Sequence, residues 1–327
     1  MSDPLERALE LAERGRGRTR PNPIVGAVVV RDREVVGEGW HERAGEPHAE
    51  AMALEAAGER ARGATLYVTL EPCAHEGRTP PCANAVIASG ISRVVAATGD
   101  PDPRTNGQGF ERLRAAGIEV EMAEGDLARQ ARRQNEAFLT WAAKGRPFVT
   151  YKAAMTLDGR LAAAGGDARW VSGEESRRRV HELRAASDAV AVGMGTARAD
   201  EPRLDARDVA AVRQPRRLVF GQGPLPDGSD LELVSGPLDE ELARLAGEEV
   251  QSLLLEGGPT IAGAFLRAGL IDKLLLFVAP KLVGGDDAPP LFAGPGARSL
   301  AEAVTVGELE VEQVGDDLLL TAYVNEP

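Results

Sequence analysis

The sequence predicts an α/β protein built as two successive layered domains. Three observations lead there. The chain has 327 residues, more than one ordinary domain of about 150 needs. Short aliphatic runs alternate with segments of helical periodicity along most of its length, the pattern of strands layered with helices. At 144–148, "KGRPF", Gly145 can end a helix and Pro147 forbids its continuation, just before a new aliphatic run at Phe148. Domains of 1–145 and 146–327 follow.

In the first half, Asp3 caps a helix that begins at Pro4 and repeats Leu5, Ala8, Leu9 and Ala12 on one face. "IVGAVVV" (24–30) and "EVVGEGW" (34–40) read as two strands across the turn "RDR". A helix is expected over 49–57, a buried strand over 64–70, and a helix from Cys82 that stops at Gly90. Strand 92–98, helix 109–117, strand 118–123 and one helix over 126–145 complete this half. The second half alternates again. It has strand 148–155, helix 173–186, strands 188–194, 216–221 and 252–258, helix 260–269 and strand 273–280.

A hydrophobic fraction of 43% and a charged fraction of 27% suit a soluble globular chain. The formal net charge is −13, most of it in residues 146–327. Such a surface repels a polynucleotide backbone, so no nucleic-acid partner is expected. No apolar run reaches transmembrane length, and "MSDPLERALELAERGRGRTR" is a charged helix without a secretory core. The expected location is the cytoplasm, with no membrane partner. There, two cysteines are metal ligands or ordinary small residues rather than a structural disulfide. The arginines at 14, 16, 18 and 20 read as a solvated face.

Both cysteines and one of the four histidines fall within "EPCAHEGRTPPC" (71–82), and "HAE" stands at 48–50. One imidazole, His48, and two thiolates, Cys73 and Cys82, form a zinc donor set that leaves a fourth position for water. Zinc lowers the pKa of that water to about 7. Glu50, two residues from His48, is the candidate general acid/base. Cys82 opens a predicted helix, whose positive end favours a thiolate. Zinc nucleobase deaminases carry His-x-Glu followed by Pro-Cys-x-x-Cys; here the interval from Cys73 to Cys82 is longer.

In the second half, "EGGPTIAGAFL" (256–266) is a strand end, two glycines and a helix start, where backbone can approach a phosphate. "VGMGTARADEPRL" (192–204) is a second glycine-bearing turn. Alone, each reads as a tight turn, and neither is a Gly-x-Gly-x-x-Gly fingerprint.

"RPNPIVGAVVV", "GWHERAGEPHAE" and "TLEPCAHEGRTPPC" together resemble the deaminase half of the bifunctional riboflavin-biosynthesis deaminase/reductase, in which the longer cysteine interval is the rule. "YKAAMTLDGRLAA", "WVSGEESRR", "GTARADEPRL" and "LLLEGGPTIAGAFL" resemble its reductase half. The resemblance implies a cytidine-deaminase-like domain followed by a dihydrofolate-reductase-like domain. It implies one Zn2+ in the first and NADPH in the second. The first would deaminate a diaminopyrimidinone ribosylamine 5′-phosphate. The second would reduce the ribosyl side chain of the product to ribityl. It further implies Asn22, His41, His75 and Arg78 as ligands of the deaminase substrate. Lys152, Ala154, Asp158, Trp170, Thr196, Asp200, Gly258, Pro259 and Thr260 would bind the cofactor. Ala168, Arg184, Leu204, Arg207 and Glu256 would bind the reductase substrate. Asp200 is also the candidate proton donor, against a plain surface or capping aspartate. Ala168 departs from the pattern, since a polar contact is expected there. The segments between Arg207 and Arg216 and over 221–250 look short. Arg177–Arg179 and Arg213–Arg217 are candidate partners for a cofactor phosphate. A small-molecule phosphoribosyl pyrimidine is the implied partner, with self-association through the reductase half. Two other functions were weighed: a zinc deaminase of another nucleoside or of tRNA adenosine, and a non-enzymatic zinc-stabilised nucleotide-binding protein.

Overall fold

Asp3 accepts a hydrogen bond from the Leu5 amide at 2.8 Å and so starts helix α1, Pro4–Glu13. The computed structural model describes residues 3–75 and 80–325. Its contacts divide the chain into two units, one up to Lys144 and one from Gly145.

In unit 1 the turn at Asp32 and Arg33 joins β1 (Gly26–Arg31) to β2 (Glu34–Trp40) as an antiparallel hairpin. Helix α2 (Ala49–Ala57), strand β3 (Thr65–Val68), helix α3 (Cys82–Ser89), strand β4 (Arg93–Ala96), helix α4 (Gln108–Ala115) and strand β5 (Glu119–Met122) follow. The sheet order is β2-β1-β3-β4-β5. β3 runs antiparallel to β1, and β4 and β5 continue parallel to β3. Strand side chains alternate between faces. Ala27, Val29, Leu66 and Val68 face the α2–α4 layer, whereas Val28 and Tyr67 face α1. Gly37 and Gly39 let α2 lie directly on β2. A Cβ at Gly37 would stand 2.1 Å from the Ala53 carbonyl oxygen, and one at Gly39 2.4 Å from that of Ala49.

The single helix expected over 126–145 is two, α5 (Gly125–Gln134) and α6 (Glu136–Lys144). The break is at Asn135. Its side chain accepts from the Ile24 amide and donates to the Ile24 carbonyl, both at 2.9 Å. That pairing satisfies a buried, unladdered stretch of backbone ahead of β1.

Unit 2 holds β6 (Phe148–Thr156), α7 (Glu174–Ala186), β7 (Ala189–Gly193), α8 (Met194–Asp200), β8 (Arg216–Phe220), β9 (Glu232–Val234), α9 (Leu238–Gly247), β10 (Ser252–Leu255), α10 (Pro259–Arg267), β11 (Lys273–Ala279), β12 (Gly307–Val314) and β13 (Asp317–Tyr323). The sheet order is β12-β13-β11-β6-β10-β7-β8-β9. The six strands from β11 to β9 are parallel, and β13 and β12 are antiparallel. α9 and α10 cover one face through Leu242, Leu245, Ala262 and Phe265. Met194 and Ala197 of α8, with Leu183 of α7, cover the other.

Two buried carboxylates pin strand starts together. Asp272 takes both arms of Arg146, at 2.6 and 2.7 Å, and the Val149 amide at 2.9 Å. Asp188 pairs with Arg213 and accepts from the amides of Gln251 and Ser252 at 3.0 and 2.9 Å. The periodicity reading missed α8, β9, α9, β12 and β13. β9 and α9 occupy the segment that looked short.

Asn135→Ala should remove partners from two buried backbone groups at Ile24. We expect a loss of about 2 kcal/mol or more. Denaturant unfolding read through Trp40 and Trp141 of unit 1 checks this.

Candidate active sites

His48 is the N-cap residue of α2 and Cys82 is the first residue of α3. Cys73 lies in the loop after β3. The β2 glycines set the depth of α2, and so where His48 and Glu50 emerge. Glu71 fixes the Cys73 loop. Its buried carboxylate accepts from the amides of Asp100, Gly107 and Phe110 at 3.3, 3.0 and 3.2 Å. Gly109 permits that approach, since a Cβ there would lie 2.0 Å from the Pro72 carbonyl oxygen.

The result is a tight donor triangle. His48 Nδ1 is 3.2 Å from Cys82 Sγ and 3.8 Å from Cys73 Sγ. All three donor atoms lie within 4.8 Å of one another. Zinc bond lengths of about 2.0–2.3 Å make tetrahedral edges of roughly 3.5–3.8 Å, so one ion fits this set. Hydrogen bonds from Cys82 and His48 hold the Cys73 thiol down at about 4. The hydrogen bond to Cys73, with burial, pushes the Cys82 thiol up. The first α3 amide, that of Cys82, donates to Cys73 Sγ at 3.2 Å. The helix end therefore favours the Cys73 thiolate directly, rather than that of Cys82.

Glu50, in the first turn of α2, is 3% exposed. Burial, and then the nearby Cys73, raise its carboxyl to about 7. It hydrogen-bonds with the Cys82 sulfur. A buried carboxyl in that range can both take and return a proton near neutrality.

Asn22 and His41 come together next to this triangle. Asn22 Nδ2 is 3.1 Å from His41 Nε2, and His41 Nδ1 is 3.1 Å from the Pro47 carbonyl. Burial lowers the His41 pKa. The neutral ring therefore donates from Nδ1 to Pro47 and accepts from Asn22 at Nε2. Its ring meets that of His48 edge-on, with centroids 5.1 Å apart. His75 Nδ1 is 3.1 Å from Thr105 Oγ1. Arg78 lies outside the described residues.

Unit 2 has a cavity of about 1390 Å³. It opens at the carboxyl ends of its parallel strands, where α/β proteins bind ligands. A pocket for one small molecule is about 300–1,000 Å³, so this one has room for two. β6 lines it with Lys152 and Ala154, the following segment with Ala168 and Trp170, and α7 with Arg184. α8 gives Thr196 and Asp200; the β10–α10 turn gives Glu256, Gly258, Pro259 and Thr260; Arg207 completes the set. The Gly258 amide donates to Thr196 Oγ1 at 3.1 Å. A Cβ at Gly257 would meet Ile261 at 2.2 Å, so this turn presents bare backbone ahead of α10. Those features fit a nucleotide phosphate.

Arg184 and Glu256 form a bidentate pair, Nε–Oε1 at 2.6 Å and Nη2–Oε2 at 2.9 Å. Burial alone would raise Glu256, but Arg184 outweighs it and holds the carboxyl below its usual range. Burial pushes Lys152 down.

Two predicted ligands are absent from the cavity lining. Leu204 is 1% exposed and packs with Val190, Val192 and Val219. Asp158 instead ties a loop, accepting from the Thr156 hydroxyl and from the amides of Val283 and Gly284 at 2.6, 3.2 and 2.6 Å. Of the two arginine groups, Arg177 and Arg178 line the cavity. Arg213, Arg216 and Arg217 are paired with Asp188, Glu232 and Asp230. Sequence reasoning passed over Glu71, whose role needs partners about thirty residues away. It also passed over His181, which faces the cavity from α7.

Comparison with known proteins matches both halves. The model of the cytidine and deoxycytidylate deaminase zinc-binding region covers residues 2–98, and that of the RibD C-terminal domain covers 147–320. The chain is 43% identical to the riboflavin biosynthesis protein RibD of Aquifex aeolicus, over 96% of this chain and 95% of that one. It is 41% identical to that of Escherichia coli, over 97% of each. RibD from Acinetobacter baumannii superposes with a TM-score of 0.87 at 38% identity, covering 98% of this chain and 97% of that one. The diaminohydroxyphosphoribosylaminopyrimidine deaminase/5-amino-6-(5-phosphoribosylamino)uracil reductase of Thermotoga maritima gives 0.83 at 35% identity, with the same coverage. The first unit is thus cytidine-deaminase-like, and the second is a reductase domain of the dihydrofolate-reductase-like kind.

If the triangle is the metal site, the purified protein carries stoichiometric zinc, and His48→Ala or Cys82→Ser abolishes most of it. Elemental analysis of the three proteins checks this.

Proposed function

Because the chain belongs to the RibD family of bifunctional deaminase/reductases of riboflavin biosynthesis, we propose how its two steps are divided among its residues. The protein is a deaminase and a reductase acting on phosphoribosyl pyrimidines. Residues 1–145 carry the deamination of 2,5-diamino-6-(5-phosphoribosylamino)pyrimidin-4(3H)-one. Residues 146–327 carry the reduction of the resulting uracil.

In the first step, His48, Cys73 and Cys82 would hold the zinc. Zinc, when bound, supplies a hydroxide at neutral pH. Glu50 takes the proton released there and passes it to the departing amine, so that ammonia leaves. Asn22 and His41 orient each other and would grip the pyrimidine edge. His75 and Arg78 would reach the phosphoribosyl end. The observation that carries this reading is Glu50, 3% exposed and hydrogen-bonded to the Cys82 sulfur beside a three-donor site. A purely structural zinc site has no use for it.

For the second step NADPH, when bound, would supply a hydride for ribose C1′. The Gly258–Pro259–Thr260 turn with Thr196 and Trp170 would hold the cofactor, and Ala154 would line its ring. Lys152, Glu256 and Arg184 form a buried ion group at the sugar. Asp200, on the cavity wall, is the candidate proton donor. Ala168 offers no hydroxyl, and Ser172 also lines the cavity, which supports it as the replacement contact.

Among the described residues no helix is long and apolar enough to cross a membrane, and Cys73 and Cys82 form no disulfide with each other. The thiols suit a reducing compartment such as the cytoplasm. β12 is an edge strand, with Leu309 64% and Val311 60% exposed. That apolar edge supports self-association through the reductase half.

Glu50→Gln should keep zinc and lose deamination by about 10²–10⁴-fold. The same variant should oxidise NADPH normally when given the deaminated intermediate. Ammonia release and absorbance of the reduced cofactor are the measurements. Unchanged deamination with zinc retained would remove Glu50 from its role.

A further inference from the structure

We infer that His181 is a further substrate-binding residue of the reductase cavity, donating from Nε2 to the substrate phosphate. This rests on the reductase reading above and adds a residue to it.

His181 lies on α7 one turn before Arg184, and both line the cavity with Arg207. Arg184 and Arg207 stand beside Glu256 and Asp208 at this corner, and part of their guanidinium donors is used internally. Arg184 spends Nε and Nη2 on Glu256 and gives Nη1 to the Asp205 carbonyl at 3.1 Å. Arg207 gives Nη1 to the Asp205 carboxylate at 2.5 Å.

The imidazole is held in place from the other side. His181 Nδ1 is 3.1 Å from the Asp205 carbonyl and 3.4 Å from the Arg207 amide. It cannot donate to the first and accept from the second at once; the shorter contact makes Nδ1–H the donor. In either tautomer Nε2 makes no hydrogen bond among the described residues and remains for a ligand.

The surrounding charges fit that role. Burial, then Arg184 and Arg207, lower the His181 pKa against the opposing pull of Asp205. Glu256 also faces the ring across its pair with Arg184. On its own helix Glu174, Glu175, Arg177 and Arg178 also line the cavity, Asp200 does so from α8, and Asp208 follows Arg207. A dianion placed among these cations reverses the balance. It draws a proton onto Nε2, and the charged ring then donates to it.

The chain has four histidines, which makes the test direct. Histidines labelled with 13C at Cε1 give a small set of resonances, with His181 assigned by its loss in His181→Gln. Ribose 5-phosphate added to the full-length protein should move the His181 resonance to the imidazolium position near pH 7, and ribose should not. In His181→Gln, KM for the deaminated intermediate should rise roughly tenfold with kcat little changed, as expected for losing a charge-assisted hydrogen bond. KM for the dephosphorylated intermediate and the affinity for NADPH should not move. An unshifted resonance in the unaltered protein, or an equal rise in KM with and without the phosphate, overturns the assignment. The resonance test needs no variant fold beyond assignment, and His181→Asn provides a second one. If the unaltered protein fails to oxidise NADPH with the deaminated intermediate, the reductase reading itself falls, which is a separate outcome.

Discussion

The closeness of α2 to the β1–β2 hairpin is the constraint on which the deaminase site depends. A helix packed on a sheet through ordinary side chains stands about 10 Å away. Here Gly37 and Gly39 let the helix backbone touch the strand, with any Cβ colliding with carbonyl oxygens of Ala53 and Ala49. That depth brings the first turn of α2 down to the rim where the β3 loop delivers Cys73. His48 and Glu50 then arrive at the same point from one turn, one as the candidate ligand and one as the proposed proton carrier. A looser helix would keep the sequence motif and lose the triangle.

Unit 2 reaches a comparable precision by different means. Its cavity is assembled at the ends of parallel strands, so the strands must start in register for the far ends to line up. Asp272 and Asp188 supply that register. Each is a buried carboxylate satisfied by an arginine and by strand amides, the condition under which a buried charge is tolerable. At the other end, the Arg184–Glu256 pair ties α7 to the turn after β10. One ion pair therefore links the helix that would face the phosphate to the turn that would face the cofactor.

Much of this was legible in the sequence, and the reasons for success and failure are physical. The hairpin, α3 starting at Cys82, and the metal donor set could be read because each depends on local pattern or on rare residue types. The break at Asn135 was invisible. Its cause is a pair of hydrogen bonds to Ile24, more than a hundred residues earlier, and helical periodicity continues smoothly across it. α8 was hidden because "MGTARAD" is too short for a periodic signal. β12, "GELEVEQV", does alternate in the manner of a strand, but its residues are exposed except the last, so its apolar positions do not mark the core. Leu204 shows a different limit. Its place in a motif suggests a ligand, while its side chain belongs to the core, which leaves only its backbone to meet one. Asp158 likewise follows its motif position into a loop-tethering role that periodicity could not reveal.

The two sites pose opposite electrostatic problems within one acidic chain. The first gathers two sulfurs and a buried carboxylate at one point, with the α3 amide end and His48 hydrogen-bonded to the Cys73 sulfur. The second must admit anions into a protein of net charge −13. Its lining mixes Lys152, Arg177, Arg178, Arg184 and Arg207 with Glu174, Glu175, Asp200, Asp208 and Glu256, and Arg184 neutralises Glu256 within it. The surface charge repels large polyanions, while inside the cavity acidic and basic groups stand together. Net charge and site charge are therefore independent quantities here, and an acidic surface does not by itself close the cavity to a small phosphate.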